Sequence, residues 1–245
     1  MNLELAEMFS MLKLKYALES YKALNSDPNL LEKLSLDDAL TTIFGAEITS
    51  RESNHQAMLL RMAKIPLLGD LSDISYDDER GQQFVKIMAG LKSMEWIKNA
   101  QNLCIYGASG TGKSYLSSVF AREAVRKGLS VLYCNASDLQ AELVVKKNSG
   151  RHNYALMRKN LLNKKLLIID DFCLRAPDDA EQSVLFDILN DRAGKRSTLV
   201  TSQKDKNLWI EDMKITPLAE SIAERLCANA WNLMLEGNSR RKALN

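Results

Sequence analysis

Apolar residues recur every two to five positions near the start of the chain, about once per helical turn, which favours an amphipathic helix. They are Leu3, Met8, Leu12, Leu14 and Leu18. Asp27-Pro28-Asn29 breaks this pattern, and a second apolar stripe then runs from Leu36 to Phe44. We therefore predict a small all-helical N-terminal domain over residues 1–65, suited to contacts with a partner or another subunit rather than to catalysis.

The pattern changes after a connector over residues 66–95, where turn-forming residues are frequent between Pro66 and Asp78. Short apolar runs then alternate with amphipathic segments. The runs predict strands at residues 102–106, 131–134, 166–169, 198–200 and 230–235, and helices begin near residues 113, 137, 178 and 217. Because this alternation is typical of a parallel sheet covered by helices on both faces, we predict an α/β domain over residues 96–245.

Composition narrows the class of protein. The 245 residues are 46% hydrophobic and carry 33 Lys and Arg against 31 Asp and Glu, a formal net charge of +2. These values exclude a disordered chain and argue against a uniformly basic DNA-packaging protein. The four cysteines are widely spaced and the two histidines lie far apart. We therefore expect reduced thiols, and any metal site would depend on carboxylates.

The sequence shows no sign of export or of a membrane span. Its first residues contain neither a basic segment nor an uninterrupted apolar run. The longest aliphatic run of the second half, residues 166–169, is too short to cross a bilayer. We expect a cytoplasmic protein without membrane association.

One motif carries specific chemistry. The pattern G-x-x-x-x-G-K-[ST] is matched in full by Gly107, Ala108, Ser109, Gly110, Thr111, Gly112, Lys113 and Ser114. Glycines let the backbone N–H groups surround phosphate oxygens, and the positive end of the following helix points at the same anions. We expect Lys113 to contact the β- and γ-phosphates and the Ser114 hydroxyl to bind Mg²⁺. The motif therefore predicts nucleotide binding.

A later strand supplies the second half of this chemistry. The aliphatic residues 166–169 lead directly into Asp170 and Asp171. Such a strand is common and means little alone, but after a phosphate loop it predicts the metal-binding side of the site. We expect Asp170 to hold Mg²⁺ and Asp171 to polarise the attacking water. Together the two elements predict a Mg²⁺-dependent nucleotide triphosphatase.

The chain resembles the IstB/DnaC-type AAA+ ATPases over nearly its whole length, and most closely the IstB helper ATPases of a class of bacterial insertion sequences. The resemblance rests on the phosphate loop, on Ile169-Asp170-Asp171-Phe172, and on residues 197–203 and 237–242. It implies a P-loop AAA+ core that binds ATP and Mg²⁺ and self-associates into an ATP-dependent oligomer on duplex DNA. It also implies delivery of that DNA to a transposase, which stimulates ATP hydrolysis.

The resemblance assigns further residue roles. Thr201 and Gln203 resemble the polar sensor that reads the γ-phosphate. Arg225 stands where the family has its arginine finger, a guanidinium that a neighbouring subunit supplies to neutralise transition-state charge. Arg241 resembles the second sensor arginine, which acts in cis. Without the resemblance, Arg225 fits a salt bridge on a helix surface and Arg241 fits a solvated basic tail.

The sequence also departs from the family pattern. Asp171 stands where most AAA+ enzymes have Glu, and its shorter side chain predicts weak ATP turnover until DNA or a partner stimulates it. Cys173 replaces a glycine that is often seen in IstB proteins. Only ten residues follow Leu235, too few for the C-terminal helical lid of most AAA+ modules. We expect a neighbouring subunit and the N-terminal domain to cover the nucleotide instead.

Basic residues are concentrated in one segment. Residues 143–169 contain seven bases and no acid. The bases are Lys146, Lys147, Arg151, Arg158, Lys159, Lys164 and Lys165. Because such a segment can neutralise several phosphates, we predict that the first five bind duplex DNA with little sequence preference. A solvated basic helix face without a ligand is the open alternative.

Two other functions fit a phosphate-loop protein. A DnaC-like helicase loader would use the same ATPase core, with the N-terminal domain gripping a replicative helicase in place of a transposase. A metabolic kinase would need an acceptor-binding segment and a lid, and we find neither in the sequence. The scattered carboxylates of the N-terminal region fit the IstB arrangement better than the loader.

Overall fold

The computed structural model describes residues 3–27, 33–76, 81–214 and 216–240. The chain divides into two compact units, Met1–Met58 and Leu59–Asn245. The first unit ends before residue 65, the limit of the helical domain that we expect from the sequence. The residues of the expected connector, 66–95, fall inside the second unit.

The described part of the first unit is helical. It contains α1 (Leu3–Met11), α2 (Lys15–Asn25) and most of α3 (Leu36–Ala63), a helix whose last residues belong to the second unit. A small apolar core forms around Phe9, Ala17, Leu24 and Ile43. The buried carboxylate of Glu47 accepts hydrogen bonds from the N–H groups of Tyr16 and Ala17, at 2.8 and 3.0 Å. This side chain therefore caps the start of α2 from a different helix.

The second unit alternates strands and helices. Its helices are α4 (Gly81–Leu91), α5 (Glu95–Lys98), α6 (Lys113–Arg126), α7 (Ala136–Asn148), α8 (Arg151–Asn163), α9 (Asp179–Arg192), α10 (Lys206–Asp212) and α11 (Thr216–Cys227). Its strands are β1 (Asn102–Gly107), β2 (Val131–Asn135), β3 (Leu166–Asp170), β4 (Ser197–Ser202) and β5 (Ala230–Leu235). The predicted α/β class and the five predicted strands are confirmed, whereas the hydrophobic pattern did not predict α4, α5, α8 and α10.

All five strands run parallel, in the order β2-β3-β4-β1-β5. Apolar side chains cover both faces of the sheet. One face packs Leu103, Ile105 and Ile168 against α4 and α6, and the other packs Cys104, Leu167 and Ile169 against α7, α9 and α11. Since the carboxyl ends of parallel strands meet at one edge, the ends of β1, β3 and β4 converge there.

The segment between the two predicted domains contributes to this core. Phe84, Met88, Leu91 and Met94 are at most 2% exposed and lie in the same cluster as the β1 side chains. Turn-forming residues at 66–78 therefore precede a buried helix, α4, and do not mark a free linker. After β5, the described residues 236–240 form no helix.

A buried arginine fastens the basic helix α8 to the sheet. The Arg192 guanidinium donates to the backbone carbonyls of Leu161, Lys164 and Ser197 and to the Thr198 hydroxyl. Burial lowers the pKa of Arg192 to about 9, and the charge of Arg196 adds to this effect. Because its acceptors are neutral carbonyls and a hydroxyl, the guanidinium orders the chain ends around it without an ion pair.

None of the described helices is long and apolar enough to span a membrane.

Candidate functional site

The loop between β1 and α6 adopts a backbone that requires glycine. Gly107, Gly110 and Gly112 have positive φ angles of 150°, 84° and 98°. A Cβ atom on Gly107 would also overlap the carbonyl oxygen of Leu235. Helix α6 begins at Lys113, directly after Gly112. The loop and the positive end of this helix therefore form a cradle for an anion.

Lys113 lies inside this loop. Its side chain is buried, and Nζ donates to the carbonyl oxygens of Gly107 and Ala108 at 2.8 and 2.9 Å. It also lines the cavity in front of the loop. The ammonium group is thus held at the place where it can exchange a carbonyl partner for a phosphate oxygen.

Asp170, the last residue of β3, receives several hydroxyl donors. Ser114 Oγ donates to Oδ1 at 3.1 Å, Thr201 Oγ1 also donates to Oδ1, and the Tyr133 hydroxyl donates to Oδ2 at 2.7 Å. Burial and the charge of Asp170 both raise the pKa of Tyr133 above its ordinary value, so its hydroxyl stays protonated as a donor. Sequence reasoning missed Tyr133, because it lies on β2 and meets Asp170 only through strand pairing.

The contact between Ser114 and Asp170 fits a magnesium site. A hydroxyl and a carboxylate are the oxygen ligands that Mg²⁺ prefers, and this ion commonly completes its shell with water and phosphate oxygens. No group of three or more His, Cys, Asp or Glu residues that could hold a metal exists in the described ranges. These two side chains can therefore hold Mg²⁺ only together with water and a bound phosphate.

Asp171 occupies a left-handed backbone position. Its φ angle is 57°, and its N–H donates to Thr201 Oγ1 at 3.0 Å. Aspartate tolerates this region better than most residues, yet the conformation carries a cost that is common at functional sites. Asp171 also lines the cavity, so its turn lies beside the space in front of the loop.

The two predicted sensor residues differ in position. Thr201 is fully buried, and its hydroxyl bonds to Asp170 and to the Asp171 N–H. Gln203 is exposed and lines the cavity. Thr201 is therefore placed to hold the two aspartates, whereas Gln203 is placed to meet a ligand directly.

The cavity in front of the loop has a volume of about 610 Å³. That size is suited to a nucleotide-sized ligand. Besides residues of the loop, its walls include Leu67, Asp73, Ile74, Ser75, Tyr115, Leu116, Leu174, Gln203 and Arg240. Sequence reasoning missed residues 67–75 because they carry no motif. Gly69 is one local signal, since a Cβ atom there would come within 2.7 Å of the Tyr115 ring.

The end of the described chain crosses the phosphate loop. The Arg240 N–H donates to the Gly110 carbonyl at 2.9 Å, and Ser239 contacts Gly110 so closely that a Cβ atom would not fit. Arg240 also lines the cavity. Arg241, the predicted second sensor, lies outside the described residues.

Arg225 lies in the last turn of α11 and does not line the cavity. Its Nε donates to Asn190 Oδ1 at 2.8 Å, and its guanidinium lies 5.6 Å from the centroid of the Phe186 ring. The side chain is 29% exposed, and its Nη1 lies 3.5 Å from Glu224 Oε2. The guanidinium is therefore held near the surface in a defined direction.

Cys173 occupies a second left-handed position, with a φ angle of 53°. This backbone explains why glycine suits the position, since a Cβ atom is strained there. The thiol is buried in the core beside β3, and burial raises the pKa of Cys173 to about 12. Burial of the sulfur is favourable, so it offsets part of the free-energy cost of the left-handed backbone.

Two truncations of Cys173 separate these effects. Both Cys173→Gly and Cys173→Ala remove the buried sulfur, but only glycine removes the left-handed strain. We expect the glycine variant to be more stable than the alanine variant by about 1 kcal/mol in urea unfolding. Equal stabilities, or a more stable alanine variant, would show that the backbone at this position is not strained.

The basic segment forms the end of α7 and all of α8. Two of its five predicted DNA-binding residues meet acids of α9, which sequence reasoning did not foresee. Lys147 Nζ lies 3.7 Å from Asp187 Oδ2, and Arg158 forms an ion pair with Asp191. Within the described ranges, no ion pair involves Lys146, Arg151 or Lys159. Helix α9 therefore offsets part of the positive charge on this surface.

The sequence is similar to those of known proteins. A model of the family described as IstB-like ATP binding protein matches residues 6–245. An insertion sequence ATP-binding protein of Sinorhizobium fredii, y4pL, is 35% identical over 214 residues, covering 86% of this chain and 85% of the relative. An IS21-like insertion sequence ATP-binding protein of Bacteroides fragilis is 26% identical over 244 residues, covering 95% and 92%.

Solved structures of low sequence identity share the fold. The DnaC helicase loader superposes with a TM-score of 0.57 at 17% identity, covering 68% of this chain and 95% of that one. AMPPCP-bound DnaA from Aquifex aeolicus has a TM-score of 0.57 at 18% identity, covering 71% and 52%. These likenesses show a shared α/β fold and nothing more.

Proposed function

The chain belongs to the family of IstB-like ATP binding proteins, and we propose that it is a Mg²⁺-dependent ATPase that assembles on duplex DNA and delivers this DNA to a transposase. The family and the AAA+ fold are established by the relatives and the fold neighbours. What we propose beyond the family and the fold is binding to duplex DNA, assembly into an oligomer and action on a transposase. Action on chromosomal DNA would place the protein in the cytoplasm.

One observation carries the enzymatic part of the proposal. The glycine loop, buried Lys113 and the contact of Ser114 with Asp170 all border the cavity of about 610 Å³ or lie beside it. These groups match the needs of a triphosphate, which are backbone N–H donors, a fixed ammonium group and oxygen ligands for its metal. A structural glycine turn would not require a buried lysine aimed at its own carbonyls.

Each side chain then has a role in hydrolysis. Lys113 binds the terminal phosphates, and Asp171 orients the attacking water and accepts its proton. Ser114 and Asp170 would hold Mg²⁺, which would supply positive charge next to the phosphates. Thr201 holds both aspartates in place through its hydroxyl. Since aspartate has a shorter side chain than glutamate, we expect weak turnover until DNA or a partner adjusts the site.

The cavity wall that includes residues 67–75 suits a nucleobase. Leu67, Ile74 and Leu116 present apolar surface there, and Asp73 and Ser75 add polar atoms. The Tyr115 hydroxyl donates to Asp73 Oδ2 at 3.4 Å, which joins α6 to this wall. We assign this wall to the base of ATP because few other groups of a nucleotide bind apolar surface.

The basic surface of α7 and α8 is our candidate for DNA. Lys146, Arg151 and Lys159 are available to phosphates directly, whereas Lys147 and Arg158 must first exchange Asp187 and Asp191 for phosphate oxygens. Exposed ion pairs contribute only about 0–1 kcal/mol, so this exchange is inexpensive. Binding through such cations is sensitive to salt and largely independent of sequence.

Charge reversal tests this surface. We expect the variant Lys146→Glu, Lys147→Glu and Arg151→Glu to lose duplex binding at moderate salt. At low salt, where residual binding can be measured, the slope of log affinity against log salt concentration should shrink by about three. Nucleotide binding should be unchanged, because none of these residues lines the cavity. Fluorescence anisotropy with labelled duplexes, at several salt concentrations, measures both quantities.

A matched control reverses three exposed lysines elsewhere, in the segments before β1, β2 and β4. They are Lys98, Lys127 and Lys195. This control makes the same change in net charge, so it should lower DNA affinity far less. In contrast, Asp191→Asn frees Arg158 and should raise affinity. Equal losses in the two reversed variants would reject the α7–α8 surface and leave only a general effect of charge.

A transposase distinguishes the proposal from a helicase loader. The relatives in sequence are insertion sequence proteins, whereas the likeness to the DnaC helicase loader rests on fold alone. We expect ATP and this protein to increase strand transfer into a duplex by an insertion sequence transposase. Stimulation of a replicative helicase, with no effect on strand transfer, would favour the DnaC-like function.

A further inference from the structure

Two cysteines from distant parts of the sequence lie together behind the ATPase site. Cys104 stands in β1 and Cys227 is the last residue of α11. Their sulfur atoms are 4.0 Å apart. Cys104 is fully buried, whereas Cys227 is partly exposed. Cys227 is therefore the more accessible residue of the pair, and its sulfur contacts that of the buried Cys104.

We propose that Cys227 is a site of oxidation by peroxide, and that Cys104 converts the oxidised sulfur into an intrachain disulfide. The inference rests on the position of the two thiols and does not depend on the proposed transposition role. No other pair of the cysteines in the described ranges shows such a contact, which makes the reaction specific to this pair.

The surroundings of the two thiols give them different reactivity. The hydrogen bond with Cys104 lowers the pKa of Cys227, and the Tyr106 hydroxyl, 3.7 Å from its sulfur, acts in the same direction against the effect of burial. The same contact and burial raise the pKa of Cys104. Cys227 is thus the thiolate that attacks first, and Cys104 keeps its proton until the second step.

The reaction balances with one peroxide molecule. The Cys227 thiolate attacks a peroxide oxygen, the O–O bond breaks, and Cys227 becomes a sulfenic acid as hydroxide leaves. The Cys104 sulfur then attacks the Cys227 sulfur, forming the S–S bond, breaking the S–O bond and releasing water. Two thiols are oxidised, and the peroxide is reduced by two electrons.

The local backbone allows the sulfurs to approach. A disulfide requires an S–S distance of about 2 Å, so the end of α11 must move toward β1 by a similar amount. The exposed residues 228 and 229 follow this helix and can adjust. The Asn102 side chain already donates to the carbonyls of Arg225 and Leu226, at 2.8 and 3.1 Å. The disulfide would make this existing attachment covalent.

Peptide mapping tests the proposal on the full chain. After hydrogen peroxide treatment, alkylation of free thiols and trypsin digestion, we expect peptide 99–113 linked to peptide 226–240. Dithiothreitol should release both. Cys134, which is partly exposed like Cys227, and the buried Cys173 serve as internal controls, because burial raises their pKa to about 11 and about 12. We expect Cys227 to react about a hundredfold faster than Cys134.

Two serine variants assign the order of the steps. Cys104→Ser should leave a sulfenic acid on Cys227 that dimedone traps, whereas Cys227→Ser should abolish both the linked peptide and dimedone labelling of this pair. Mass analysis of the intact variants before treatment shows that each is reduced. The proposal is overturned if Cys134 reacts as fast as Cys227, or if oxidised Cys227 in the unmodified sequence never joins Cys104.

Discussion

Replacement of Lys113 by alanine is expected to reduce ATP hydrolysis by on the order of 10²–10³ and to weaken ATP binding strongly. The ammonium group is buried and fixed by the carbonyls of Gly107 and Ala108, so no other described lysine can substitute for it at the loop. Loss of a positive charge inside a closed loop removes both binding energy and transition-state stabilisation. Titration with a fluorescent ATP analogue and a phosphate-release assay measure the two effects.

Lys127→Ala is the matched control for this variant. Lys127 follows the last turn of the same helix, α6, and its ammonium group is exposed and donates to the Ser93 carbonyl. It should keep full binding and turnover. Circular dichroism of both variants excludes unfolding as the cause. Full activity in Lys113→Ala would remove the phosphate loop from the proposed function.

Replacement of Arg225 by alanine should leave ATP binding intact and lower DNA-stimulated hydrolysis by about 10³ or more. The guanidinium does not line the cavity of its own chain, so it can serve catalysis only from a neighbouring subunit. Its bond to Asn190 and its position over Phe186 hold it beside α9, partly exposed at the surface. Phosphate release with saturating DNA and ATP is the measurement.

A mixing experiment separates action in trans from a structural role. Lys113→Ala subunits keep Arg225, and Arg225→Ala subunits keep the phosphate loop, so a mixture of the two inactive proteins should regain part of the activity. Asn190→Ala removes the hydrogen bond to Arg225 but keeps the guanidinium, and should lose much less turnover. If the mixture stays inactive while Asn190→Ala matches Arg225→Ala, the arginine acts only within its own helix.

The parts of the site that the sequence predicts are contiguous. Residues 107–114 form a loop whose chemistry depends on the order of its own residues, and Asp170 and Asp171 end an aliphatic strand. Both lie at the carboxyl edge of the sheet because each follows a strand, and the carboxyl ends of parallel strands meet at one edge. The strand–helix alternation fixes this edge before any tertiary contact is known.

The remaining walls come from tertiary packing and, apart from Gly69, leave no local signal. Tyr133 reaches Asp170 only because β2 pairs with β3, and residues 67–75 reach the cavity only because Gly69 lies against the Tyr115 ring. In each case the side chain is ordinary for its own element. A pattern of period two or of period 3.6 cannot report which distant residue it will meet.

The basic segment shows the same limit in its electrostatics. Counting charges along residues 143–169 finds no acid, because Asp187 and Asp191 come from α9. The charge that DNA would meet is therefore smaller than the count along the chain. Cys173 shows what a backbone angle adds to the sequence, because its left-handed φ explains why glycine suits this position but not why this chain has cysteine there.

The hydroxyl donors around Asp170 also constrain how this site can evolve. Because Tyr133, Thr201 and Ser114 all donate to one buried carboxylate, losing one hydroxyl leaves that charge short of a partner. A change at position 133 on β2 therefore becomes tolerable mainly when another donor or a water replaces it. Natural variation at positions 133, 170 and 201 should be correlated, although these residues lie on three different strands.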